Sequence, residues 1–127
     1  MIISCGVDIC ETSRIAQMCD RHKERFLERT FTAEEIAYCR GRVRQAEHFA
    51  GRFAAKEALF KALGTGWSGG ISWLDVSVEV LQSGEPRLRL LSRAWELAAG
   101  RGITRLHVSL SHCREYAVAM VIAEGAD

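Results

Sequence analysis

Apolar residues run almost unbroken from Ile2 to Ile9, with Gly6 inside, and a run that short predicts a strand. Ile15, Cys19, His22 and Phe26 then recur at helical spacing, behind Thr12 or Ser13 as a cap. Thr32-Ala33-Glu34-Glu35 has the form of a capping box and opens a short second helix, which Gly41 ends. A longer helix is expected from Gln45 to Leu63, closed by Gly64-Thr65-Gly66, with a loop over Trp67-Ser68-Gly69-Gly70. From Trp73 to Leu81 the period changes to two. Leu74, Val76, Val78 and Val80 share one face and Asp75, Ser77 and Glu79 the other, the signature of a half-buried strand. Ser83-Gly84-Glu85-Pro86 turns the chain into a second arm, Arg87 to Leu91, making a hairpin. Ser92 to Ala99 is a short helix stopped by Gly100 or Gly102. Arg105 to Ser111 and Tyr116 to Ala123 are two further strands around the turn His112-Cys113-Arg114-Glu115. The pattern is α+β: a small, mainly antiparallel sheet with helices packed on one side, in one domain over residues 1–127.

Composition narrows the classes. The chain has 127 residues, 48% of them apolar and 26% charged, with a net charge of +1, which excludes a polybasic arm, an acidic tail and a disordered chain. No apolar run approaches the roughly 20 residues of a membrane helix. The start of the chain has no basic leader and meets Asp8 too early for a signal peptide, so a soluble, cytoplasmic protein with no membrane partner is expected. The five cysteines are odd in number and form no C-x-x-C pair. That speaks against a disulfide framework or zinc site and predicts small buried hydrophobes in a reducing compartment.

Three polar groups fall where apolar residues belong. On a wheel of about 100° per residue with Phe53 at zero, Phe49 and Phe60 lie within about 40°. Glu57 lies near +40°, Lys56 near −60° and Lys61 near +80° on that wheel. Either Glu57 and Lys61 form an i to i+4 surface pair, or Glu57 ligates a hard metal such as Mg²⁺ with Lys56 or Lys61 facing phosphate oxygens. Asp8, at the end of an apolar strand, is either a cap or a second ligand. One or two carboxylates plus substrate phosphates is the usual magnesium arrangement in phosphoryl chemistry.

The third group is on the strand Arg105 to Ser111. There Leu106, Val108 and Leu110 share one face, leaving His107, Ser109 and Ser111 on the other, beside His112. That face is either merely exposed or a surface for phosphate and sugar oxygens. No nucleophile elbow surrounds either serine, and neither G-x-G-x-x-G nor a P-loop lysine pattern occurs. The glycines from Gly64 to Gly70 either let a ligand approach the backbone or form a plain connection.

Gly6-Val7-Asp8, the segment Phe53-Ala54-Ala55-Lys56-Glu57-Ala58-Leu59-Phe60-Lys61 and His107-Val108-Ser109-Leu110-Ser111-His112 together resemble the signature segments of the 4'-phosphopantetheinyl transferases. In length and order the chain is similar to the small bacterial holo-acyl-carrier-protein synthases, from Met1 to about Glu124. The resemblance implies transfer of the phosphopantetheine arm of coenzyme A to a serine of apo-acyl carrier protein, with release of adenosine 3',5'-bisphosphate, a step of fatty acid biosynthesis. It implies that Asp8 and Glu57 hold Mg²⁺ and that Lys61 faces the pyrophosphate. It gives Arg52 and His107 to the 3'-phosphate and neighbouring parts of the nucleotide, with Ser109 beside them, and sets Gly64, Thr65 and Gly66 by the adenosine. It further implies a homotrimer with shared active sites. Glu57 is the preferred acceptor of the serine proton and Lys61 its rival.

The basic first helix suits an acidic protein partner, and the resemblance implies that carrier protein docks there, on Arg14, Met18, Arg21, Arg25 and Phe26. The same residues could also be a solvated face with Phe26 in the core. Some relatives carry an acidic residue after the final histidine of the third segment, where this chain has Cys113. The alternative is a non-catalytic nucleotide- or RNA-binding α+β domain. Against nucleic acid as a partner stand the near-neutral charge and the lack of an aromatic strand face.

Overall fold

A computed structural model describes residues 1–64 and 70–127. The chain runs through β1 (Ile2–Glu11), α1 (Thr12–Thr30), α2 (Ala33–Arg40) and α3 (Gln45–Leu63). After a 3-10 turn (Trp73–Asp75) come β2 (Val76–Val80), β3 (Pro86–Leu90), α4 (Ser92–Gly100), β4 (Ile103–His112) and β5 (Tyr116–Gly125). The expected antiparallel sheet is present in two parts: three strands in the order β1-β5-β4, and the β2-β3 hairpin.

The helix α3 is the centre of the molecule. Most of its side chains are buried on every side, because it lies on the three-stranded sheet and is flanked by α1 and α2. Small residues set how close it lies. Ala54, Ala55, Ala58 and Ala62 on the helix and Ala117, Ala119 and Ala123 on β5 are all buried, and α3 packs on both β1 and β5. At Gly6 the strand meets the helix backbone to backbone: a Cβ there would overlap the Ala58 carbonyl oxygen and lie 2.9 Å from the Ala62 nitrogen. That glycine is what lets Asp8, two residues on, reach the side of α3.

Local chemistry moves several predicted boundaries. Trp73 to Asp75 is not strand: the Ser72 hydroxyl caps the Leu74 N–H while Asp75 accepts from the Ser72 N–H, winding a 3-10 turn and leaving Leu74 exposed. Ser77, expected on a solvated face, is fully buried, its hydroxyl 2.8 Å from that of Thr32. At α1 neither Thr12 nor Ser13 caps the helix; Thr12 lies inside it, and its N–H bonds to the Glu115 carbonyl. Lys23 breaks the helix with φ +46°, so His22 is exposed while Phe26 and Leu27 are buried. The capping box of Thr32 and Glu35 forms as expected, and Gly64 closes α3 with φ +77°. Cys10 and Cys39 are buried as predicted; Cys5 and Cys113 are exposed, on the outer sheet face and in the β4-β5 turn.

Candidate active site

Asp8 and Glu57 meet where β1 crosses α3. Asp8 lies on the face of β1 turned toward the helix and is half-buried, as is Glu57. The Glu57 carboxyl is held above the usual carboxylate range, first by burial and then by the Asp8 charge, with Lys61 and Arg14 easing it. Lys61 does not take the i to i+4 partner it was given. Its ammonium donates to Oδ1 of Asp8 at 3.2 Å and to the Val7 carbonyl at 3.0 Å, bringing the cation between strand and helix. Cys10, beside the carboxylates, has its thiol pushed up to about 11, mainly by burial, and stays protonated at neutral pH.

These two carboxylates fit a hard divalent cation. Both are oxygen donors, and the Asp8 charge raises the cost of ionising Glu57, a cost that a cation between them would relieve. No group of three or more His, Cys, Asp or Glu side chains able to hold a metal occurs among the described residues. Lys56 cannot face phosphate: it is 0% exposed and ion-paired with Glu35 at 2.7 Å.

A second cluster lies at the start of α3. Arg52 is only 4% exposed, pairs with no carboxylate, and has a buried Nε without a hydrogen-bond partner among the described residues. Its other end donates to the His48 carbonyl at 3.1 Å, and its guanidinium lies 4.3 Å from the Tyr38 ring centre. Arg42 lies 4.2 Å from the same ring. His48 packs edge-on against His112, with ring centres 4.9 Å apart, and burial, His112, Arg52 and Arg42 all hold its pKa below the ordinary value. Glu47, bonded to His112 at 3.0 Å, is the carboxylate of the group. Arg52 with its unused N–H is suited to an anion. Tyr38, Arg42 and His48 are not marked by the sequence pattern, although His48 and Arg52 stand an α-helical turn apart; His112, expected beside His107 and Ser109, instead lies on the helix-facing side of β4 against His48 and Glu47.

His107 and Ser109 do not join either cluster within one chain. Alternation along β4 turns them to the outer face of the sheet, away from α3. There His107 bonds Glu124 at 2.9 Å, in register with Ile122 and, through it, with Cys5. The outer face also exposes Val7, Ile9, Tyr116, Val118 and Met120, an apolar surface without a partner in the single chain. Thr65 and Gly66 lie outside the described residues; Gly64 stands at the C-terminal end of α3, near the Arg101 guanidinium.

On α1, Arg14, Arg21 and Arg25 are exposed and Met18 is half-buried, whereas Phe26 is buried in the core. Met18, Phe26, Phe53 and Trp73 line a groove of about 450 Å³ with His22, Arg25 and Arg29 at its edge. Phe53 and Trp73 stack at 4.7 Å. Among the described residues no helix is long and apolar enough to cross a membrane.

The family described as the 4'-phosphopantetheinyl transferase superfamily matches residues 4–121. A holo-[acyl-carrier-protein] synthase of Koribacter versatilis is 47% identical over 124 residues, 98% of this chain and 99% of the relative. The fold is similar to that of the Bacillus anthracis holo-(acyl-carrier-protein) synthase solved with CoA (3',5'-ADP): TM-score 0.81, 38% identity, 99% of each chain covered. It is similar too to the Helicobacter pylori synthase solved with coenzyme A, at TM-score 0.83 and 32% identity, covering 94% of this chain and 99% of that one.

Proposed function

The chain belongs to the 4'-phosphopantetheinyl transferase superfamily, and we propose that it is a holo-acyl-carrier-protein synthase whose chemistry is centred on Asp8, Glu57 and Lys61. The reaction moves 4'-phosphopantetheine from coenzyme A to a serine of apo-acyl carrier protein. The serine oxygen forms a bond to the β-phosphorus, the bond to adenosine 3',5'-bisphosphate breaks, and the serine proton must leave. One observation carries the reading: two carboxylates of different elements converge beside an exposed ammonium that contacts one of them. Phosphoryl transfer asks for that kind of positioning and charge cancellation rather than a protein nucleophile.

Asp8 and Glu57 would hold Mg²⁺, and the chemistry supplied by that cation is neutralisation of charge on the pyrophosphate and on the departing bisphosphate. The Lys61 side chain, 54% exposed, can turn from Asp8 to the phosphates once the carboxylates are otherwise engaged. Glu57 is the acceptor of the serine proton.

Arg52, with its spare buried N–H, would bind the 3'-phosphate region of the nucleotide. His107 and Ser109 face away from Asp8, so they serve this chemistry only in a neighbouring protomer's site. The exposed apolar sheet face supports such an assembly, a homotrimer with active sites shared between subunits. The exposed arginines of α1 suit an acidic carrier protein, with Met18 and the apolar groove beside them. The reading places the protein in the cytoplasm. Incubation with apo-carrier protein, coenzyme A and Mg²⁺ should add one phosphopantetheine mass to the carrier and liberate the bisphosphate. No product over a range of carriers and divalent metals would refute it.

A further inference from the structure

One ion pair in this protein is removed from water completely and takes no direct part in the chemistry above. Lys56 precedes Glu57 in the chain, and both it and Glu35 are fully buried. Besides its 2.7 Å contact with Glu35, the Lys56 ammonium donates to the carbonyls of Thr30 at 2.8 Å and Trp73 at 3.0 Å. Glu35 accepts from the backbone N–H of Thr32 at 2.8 Å and of Val78 at 2.7 Å. The end of α1, the start of α2, the 3-10 turn and β2 are thereby all tied to one point on α3.

Stability does not account for such a pair, since apolar replacements of similar volume are often neutral or stabilising. Hydrogen bonds supply what apolar packing cannot: they fix individual carbonyls at set distances. Thr30 and Trp73, the two residues whose carbonyls Lys56 holds, both line the groove that also contains Met18, Phe26 and Phe53. The break at Lys23 gives this anchorage something to do beside the core packing of Phe26 and Leu27. The second half of α1 does not inherit its direction from the first, so its position depends on what holds its end, and Lys56 holds Thr30.

We propose that Lys56 and Glu35 are positioning residues for carrier-protein docking, fixing the second half of α1 and Trp73 as the two walls of the groove. The inference rests on the docking assignment made above. It is tested with the full-length double variant Lys56→Met/Glu35→Gln, which removes both charges and leaves one side-chain acceptor for the Thr32 or Val78 N–H. The expected result is a cooperative melt at a lower temperature than that of the unaltered protein, because one backbone N–H and the Thr30 and Trp73 carbonyls lose their side-chain partners. The KM for apo-carrier protein should rise about tenfold, while that for coenzyme A stays within about twofold. A folded double variant with an unchanged carrier KM would overturn the proposal, and so would an equal rise in both KM values, which reports general loosening. If the double variant does not fold, Glu35→Gln alone decides by the same split. Failure of the unaltered protein to transfer at all would instead refute the transferase reading, and the docking role would fall with it.

Discussion

Replacing Gly6 by alanine adds one methyl group where β1 (Ile2–Glu11) and α3 (Gln45–Leu63) touch backbone to backbone. The new Cβ would overlap the Ala58 carbonyl oxygen and stand 2.9 Å from the Ala62 nitrogen. Neither obstacle is a side chain that can turn aside. The strand must move off the helix, and that helix is packed on its remaining sides by α1 and α2. Overpacking a core costs about 1–3 kcal/mol, and a clash with helix backbone belongs at the upper end, about 3 kcal/mol. For a domain of this length that is a fall in melting temperature of about 10 °C. The loss of activity should be larger in proportion. Asp8 lies two residues beyond Gly6, and Glu57 directly precedes Ala58, so separating the two elements separates the carboxylates. Misplacement on the scale of 1 Å can lower turnover about 100-fold. Circular dichroism melts, with transfer assays run well below the variant's melting temperature, measure both quantities. A variant melting within about 2 °C of the unaltered protein and transferring at full rate would refute the close-approach argument.

Glu57→Gln separates stability from function. A carboxyl whose folded pKa is raised favours folding below its unfolded value of about 4.3 and opposes it as pH rises through the folded value. Ionised Glu57 is therefore destabilising at neutral pH. The glutamine variant should melt higher than the unaltered protein at neutral pH, converge with it in acid, and lose transfer. Mg²⁺ should raise the melting temperature of the unaltered protein and leave the variant unmoved; equal responses would remove the metal assignment. If the proposed homotrimer assembles through the outer sheet face, Met120→Glu, which places a charge in the middle of that face, should leave only monomers in light scattering. Persistence of the trimer would assign assembly to another surface. Lys23→Gly relieves a left-handed backbone conformation inside α1 (Thr12–Thr30) and should raise stability by about 1 kcal/mol in urea titrations, whereas a loss would show that the Lys23 side chain matters more than its strain.

Local sequence determined much of this protein. The capping box at Thr32, the glycine that closes α3 and the period-two pattern of β4 and β5 are decided by chemistry within a few residues, and their elements formed where expected. The wheel of α3 singled out Glu57 and Lys56 as polar groups on a core-facing arc. It could not tell them apart, because burial around α3 is set by elements distant in the chain. Tertiary packing gave Lys56 to Glu35 inside the core and Glu57 to Asp8 at its edge. It also turned Lys61 from its helical neighbour to the strand, and gathered Tyr38, Arg42, His48, Arg52 and His112 from α2, α3, β4 and the loop between the two helices. Periodicity reports which face of an element meets something apolar. Only the folded chain decides which charges meet one another, because Coulomb and hydrogen-bond energies depend on distances in space that sequence separation does not set.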